Sequence, residues 1–321
     1  MRKLNNIREL FLSSCSDDSD WVIVTHKNCP DGLGVVMLAL TYANGSGSKK
    51  PEIIYCQYGD DVDLEKLKNK HVIMADFSFD KKTLEQINNI AETLVVLDHH
   101  DTPVKLGLDK LPYVYLNQNM SGARLMYHYL YDIDLLHVDS KKINVPYLIR
   151  LIEDRDLWNW AYEDTRAVSA MLSAKGFDWA LENASELLDD EPELLDEMLS
   201  RYNGVIEYQD QIITKHKEKI PDLKLFDIVG YQVPCINSTH LISEIGNVLA
   251  EDFPFSAQYF FTEKEIVFSL RSVDKVNVAD LAMKFGGGGH PNAAGFSFDL
   301  DKFNYTEFFV NKKMTVVSTN G

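Results

Sequence analysis

Apolar residues in the first half of the chain fall into short continuous runs separated by segments of helical period. WVIVTH (21–26), EIIYCQY (52–58), HVIMADF (71–77) and TLVVLDHH (93–100) are apolar and β-branched over strand length. A strand that is apolar at successive positions is covered on both faces, which predicts a parallel sheet. Helical period follows the Pro-Asp-Gly turn in VVMLALTYA and returns in KKTLEQINNIAETL, SGARLMYHYL (121–130) and NVPYLIRLIEDRDLW (144–158), with Ser121 as a candidate N-cap. From about 176 to 220 the composition turns to Leu, Glu, Asp and Lys without a strand signal, and ELLDEMLSRYNGVIEYQDQIITKHKEKI predicts one long helix with a charged outer face, stopped by Pro221. Beyond it LFDIVGYQVPCIN, AQYFFTEKEIVFSLRS and AGFSFDL predict strands, and LISEIGNVLAEDF and NVADLAMKF predict helices. The expected organisation is α/β: an N-terminal parallel-sheet domain over 1–185, a helical linker over 186–220 and a smaller α/β domain over 221–321. The start, MRKLNNIRELFLSSC, makes a poor signal peptide and predicts a short amphipathic helix through Leu4, Ile7, Leu10 and Leu12.

Composition narrows the functional classes. With 32 basic and 49 acidic residues the formal charge is −17, which argues against a broad grip on long nucleic acid. A short anionic ligand remains compatible, because a bound cation reverses the local field. Cys15, Cys29, Cys56 and Cys235 show no paired spacing and read as reduced thiols. No apolar run reaches the ~18 residues of a membrane span, so the expected location is the cytoplasm.

Three strands end on the same kind of group. The first closes at His26, with Asp31 in the following loop; the third closes at Asp76; the fourth closes at Asp98-His99-His100. Ligands of open parallel sheets gather at the carboxyl ends of the strands, so these groups are expected to converge. Carboxylate and imidazole together suit Mn, Mg, Zn or Fe, and several carboxylates in one place call for a cation. In the second half FGGGGHPNAAG (285–295) sets four glycines before a histidine, a backbone that an anion can approach closely. The tryptophans of DLWNW (156–160) can stack on a base, although their place beside a helix end favours a core. Cys29 reads as structural filling rather than a nucleophile.

Together LDHH (97–100) and HKNCPDG (26–32) resemble the DHH phosphoesterase superfamily, and SLRS (269–272) followed by FGGGGHPNAAGF (285–296) resembles its companion DHHA1 domain. The pairing points to the branch of oligoribonucleases, pAp-phosphatases and cyclic-dinucleotide phosphodiesterases. The resemblance implies His26, Asp31, Asp76 and His99 as metal ligands, Asp76 bridging two ions, Asp98 orienting the site and His100 near substrate phosphate. A further aspartate is expected from IEDRDLW, Asp154 ahead of Asp156, and Asn28 can lend a carbonyl oxygen. Arg271, Ser272, Gly287, Gly288, Gly289, His290 and Asn292 are the implied substrate contacts, in a cleft between the domains. The chain departs from the usual pattern at Leu33, where a second aspartate is expected, which leaves one ion or two open. The expected activity is hydrolysis of phosphodiester or phosphomonoester bonds in short oligonucleotides, linear dinucleotides or pAp-like nucleotides, end-directed, with Mn ahead of Mg or Co. A non-catalytic nucleotide-binding protein and a pyrophosphatase or polyphosphatase are the alternatives. No membrane partner is expected, and a homodimer is left open.

Overall fold

The computed structural model describes residues 20–57, 59–131, 145–189, 195 and 199–315. The expected N-terminal helix and Cys15 lie outside the described residues. Two compact units divide the chain, Met1–Ile206 and Glu207–Gly321.

In the first unit β1 (Trp21–His26), β2 (Glu52–Cys56), β3 (His71–Ala75), β4 (Thr93–Asp98) and β5 (Val114–Leu116) form one parallel sheet in the order β2-β1-β3-β4-β5. Its continuous apolar runs serve two cores at once, because successive strand residues point to opposite faces. Trp21, Ile23, Ile73, Val95 and Leu97 enter one core; Val22, Val24, Val72, Met74, Leu94 and Val96 enter the other. The first core is closed by α1 (Pro30–Ser46), α3 (Gly122–Leu130) and α4 (Tyr147–Asp156), while α2 (Lys81–Ile90) buries Leu84 and Ile87 in the second. From β1 the chain steps outward to β2, then crosses to the other side of β1 for β3. That reversal is a topological switch point, and it opens a crevice at the carboxyl ends of β1 and β3.

The segment expected as one long helix is interrupted by a turn at Arg201 and Tyr202, after which a helix runs from Asn203 to Glu218 and contains the division between the units. In the second unit seven strands make a mixed sheet: β6 (Leu225–Ile228), β7 (Tyr231–Asn237), β8 (Ser256–Phe261), β9 (Glu265–Arg271), β10 (Gly288–His290), β11 (Ala293–Asp299) and β12 (Lys313–Met314), in the order β10-β11-β9-β8-β7-β6-β12. Phe226, Phe255, Phe268, Phe296 and Phe308 fill its core. Among the described residues no helix is long and apolar enough to cross a membrane.

Candidate metal centre

The first group of the site comes from β1 and the helix that follows. β1 delivers His26 at its carboxyl end, and Pro30 at the first position of α1 presets the helical turn that carries Asp31. Asp31 is fully buried, and its carboxylate accepts from the N–H groups of Gly122 (2.5 Å) and Ala123 (3.0 Å). These are the first amides of α3, where unsatisfied donors and the helix dipole favour a negative charge.

Asp76 follows β3 with φ 59°, a left-handed backbone uncommon for non-glycine residues but better tolerated by aspartate than by most. Its N–H donates to Leu97 O on β4 at 3.1 Å, which holds the turn against the sheet. A Cβ at residue 122 would sit 2.5 Å from Asp76 Cβ and 2.6 Å from its Cα, so only glycine fits there. Thus Gly122 clears the space for Asp76 and donates to Asp31, serving two of the carboxylates at once.

At the end of β4, Asp98 Oδ1 accepts from the N–H groups of His99 (2.7 Å) and His100 (3.2 Å) and pairs with His100 Nδ1 at 2.7 Å. This folds the two histidines back over the strand end. His99 Nε2 then lies 3.2 Å from Asp76 Oδ1, 3.7 Å from Asp31 Oδ2 and 3.4 Å from Asp156 Oδ2. His26 Nδ1 is 4.0 Å from the other oxygen of Asp76. Two triads result, His26–Asp76–His100 and Asp31–His99–Asp156, each with ligand atoms within 4.8 Å of one another.

Between the two aspartates of α4, it is Asp156 that joins the cluster. Asp154, the expected ligand, accepts instead from the N–H groups of Ala161 (2.8 Å) and Tyr162 (3.3 Å) and from the Thr165 hydroxyl, and so ties down the loop after the helix. Two residues apart on a helix means side chains about 200° apart, so only one of the pair can face the site. Glu153 points elsewhere again, accepting from Ser121 N–H and pairing with Arg124. Asn28 is exposed, and neither triad includes it. Leu33 is 2% exposed and packs in the first core, so the position expected to hold a second carboxylate does not face the cluster. Asp156 supplies the second carboxylate of the Asp31–His99–Asp156 triad.

The electrostatics describe a site short of positive charge. Burial, then Asp31 and Asp156, push the Asp76 carboxyl well above the usual range. Burial and Asp31 raise Asp156 to about 7. His26 and His99 fall to about 4 through burial and the neighbouring His100, which keeps them neutral with lone pairs to donate. Burial opposes the ionisation of both Asp98 and His100, but their charges and shared hydrogen bond outweigh it, lowering Asp98 and raising His100. Asp156 Oδ2 is buried without a hydrogen bond among the described residues. Hard oxygen donors, neutral imidazoles and an unsatisfied buried carboxylate are what a divalent cation requires, and the residues fit one. Burial and the adjacent Asp76 and Asp156 keep the Cys29 thiol protonated, contrary to what a nucleophile needs.

In the second unit Arg271 ends β9, and its guanidinium donates to Ser269 Oγ, Leu270 O and Ser243 Oγ, each at 2.8 Å. A Cβ at Gly246 would come within 2.7 Å of Arg271 Cγ, so the helix beneath approaches the arginine stem closely. Other expected contacts are committed to structure. Ser272 Oγ accepts from the N–H groups of Lys275 (3.3 Å) and Val276 (3.1 Å), and Asn292 makes two hydrogen bonds with Asp274. The Gly287 N–H donates to Ala282 O at 3.0 Å, so it is not the anion donor expected of it. A side chain there would collide with Gly295 O at 2.0 Å, and Gly289 has φ 139° beside Ala293 O. Packing of the β10–β11 hairpin therefore accounts for both glycines. Gly288 pairs with Gly295, and His290, partly exposed, closes β10.

Residues 236–311 match the family of the DHHA1 domain. Over 300 residues, 86% of this chain and 67% of the relative, the sequence is 29% identical to the uncharacterised protein R106 of Acanthamoeba polyphaga mimivirus. Over 264 residues it is 24% identical to the oligoribonuclease NrnB of Bacillus subtilis (strain 168), covering 73% of this chain but only 62% of that protein. Among solved structures, the DHH domain of a protein described as a member of a ribosomal-protein family superposes with a TM-score of 0.57 at 11% identity, covering 97% of this chain and 88% of that one. RecJ from Thermus thermophilus in complex with Mn2+ gives 0.52 at 13% identity, covering 97% and 54%. At these identities the structural likeness is one of fold.

Proposed function

Taking the chain as a member of the DHH/DHHA1 phosphoesterases, we propose that it is a divalent-metal-dependent hydrolase of short nucleotides: short oligonucleotides, linear dinucleotides or pAp-like compounds, attacked from an end. The observation that carries this reading is the Asp76 carboxylate, set between two triads of imidazole and carboxylate at the switch point of the sheet. His26 and Asp76 would hold one ion and Asp31, His99 and Asp156 the other, with His100 beside the first. Such ions supply Lewis acidity to a phosphate and to an attacking water. His26 and His99, neutral at physiological pH, would bind through lone pairs. Asp98 stays ionised and keeps a proton on His100 Nδ1, which raises the affinity of His100 for a second proton. His100 is accordingly the group that hydrogen-bonds a phosphate oxygen or protonates the leaving oxygen. Arg271, permanently charged, is the proposed phosphate contact of the second unit.

Purified protein incubated with Mn and a panel of pAp, linear dinucleotide, cyclic dinucleotide and pyrophosphate tests the substrate class. Turnover of the linear dinucleotide or pAp is expected. Hydrolysis of pyrophosphate alone would replace the reading with a pyrophosphatase, and binding without turnover in Mn, Mg and Co would replace it with a nucleotide-binding protein.

A further inference from the structure

The sequence leaves Trp158 and Trp160 between base stacking and a favoured core position, and neither packs against any of the three hydrophobic cores among the described residues. Both are partly exposed, and both have left-handed backbone, φ 60° and 55°. That conformation is a genuine outlier for a bulky side chain and persists only where surrounding contacts impose it. Here the contacts are visible. Asp154 O accepts from Asn159 N–H, and its carboxylate accepts from the N–H groups of Ala161 and Tyr162, so one residue pins the loop from the inside. Arg155 lies over both indoles, 4.4 Å from the centre of Trp158 and 5.2 Å from that of Trp160, and the rings meet edge to face at 4.9 Å. Three consecutive residues thus do three things: Asp154 fixes the loop, Arg155 braces the indoles, and Asp156 enters the metal cluster. With two residue steps between them, the Cα of Trp158 lies within roughly 7 Å of that of Asp156.

We propose that Trp158 is a nucleobase platform beside the phosphate site, with Trp160 and Arg155 as its supports, so that the preferred substrate carries a base next to the scissile phosphate. A partly exposed aromatic ring outside the described cores, braced by a cation, offers a π-surface that any base can stack upon irrespective of sequence. The proposal rests on the phosphoesterase reading only for where the phosphate lies.

Binding of AMP and of ribose 5-phosphate to the full chain in Mg, followed by calorimetry, separates the base from the phosphate. Wild-type protein is expected to bind AMP at least about tenfold more tightly. Trp158→Leu should weaken AMP by roughly 5- to 150-fold while leaving ribose 5-phosphate unchanged, the range of one stacked base. Trp158→Phe, which keeps a smaller π-face, should restore most of the difference. Equal weakening of both ligands would make the loop merely structural and overturn the proposal, as would AMP binding unchanged in Trp158→Leu. Because the assay needs no turnover, a base preference found in a protein that hydrolyses nothing would sink the hydrolase reading and leave the platform standing.

Discussion

Gly122→Ala tests the geometry of the centre at a residue outside every recognisable motif. The added methyl would lie 2.5 Å from Asp76 Cβ, 2.6 Å from its Cα and 2.7 Å from its N. Carbon atoms in contact need about 3.5 Å, so α3 and the Asp76 turn must part by about 1 Å. No flexible side chain can absorb this, since the crowded atoms are Cβ and backbone. Overpacking of this kind costs about 1–3 kcal/mol, against which a better helix former at the start of α3 returns only a fraction. The same displacement moves Asp76 against His99 and His26 and pulls the Gly122 N–H from Asp31. A misplacement of 1 Å in a catalytic group costs on the order of 100-fold in rate. Urea denaturation gives the stability term, Mn titration the affinity, and single-turnover hydrolysis of a linear dinucleotide the rate. Gly45→Ala, in α1 with nothing within 4 Å, is the control and should be neutral or slightly stabilising. Wild-type stability together with wild-type Mn affinity in Gly122→Ala would refute the reasoning.

Further outcomes follow from other contacts of the first unit. Asp154→Ala should lose on the order of 2–3 kcal/mol of stability by stranding the donors of its loop, whereas Asp156→Asn should stabilise the metal-free protein and abolish Mn affinity at the second triad, as thermal melts with and without Mn will show. The sign follows from the raised Asp156 carboxyl: between its ordinary value of 3.8 and about 7 the folded state binds the extra proton, so metal-free stability falls as pH rises through that window, and the Asn variant should lose that part of the slope. Leu33→Asp should not gain an ion but lose roughly 3–5 kcal/mol in denaturant titration, since it buries an unpaired charge in the core. His128, buried with neither ring nitrogen hydrogen-bonded among the described residues and lowered to about 4 by burial and Arg124, binds its proton more readily unfolded; stability should fall by roughly 2–3 kcal/mol as pH drops from 7 to 4.5, and His128→Leu should remove that share of the acid sensitivity.

The strand ends were legible because their chemistry changes abruptly: the largely apolar β1, β3 and β4 lead into His26, Asp76 and Asp98-His99-His100, and a parallel sheet must gather those ends. The choice between Asp154 and Asp156 was not, because both sit in the last turn of α4 and only the rotation of that helix against the sheet decides which faces inward. Leu33 misleads for a related reason: it lies on the face of α1 that turns to the core. Gly122 carries no local signal, since its role is a contact with a strand end far away in sequence. The four glycines were conspicuous, but Gly287 and Gly289 answer to hairpin packing, a demand no less strict than that of a bound anion. The pattern DLWNW favours a core over base stacking because helix ends commonly pack there, and only the tertiary structure reveals the loop that Asp154 holds apart from the described cores.

The most direct measurement is release of mononucleotide from a linear dinucleotide as Mn is titrated into EDTA-treated protein, for wild type and Asp76→Asn side by side, with circular dichroism confirming that both are folded. Turnover that rises with Mn in the wild type and is absent from the folded variant is the predicted result. Turnover at an undiminished rate in EDTA, or in Asp76→Asn, would contradict the account.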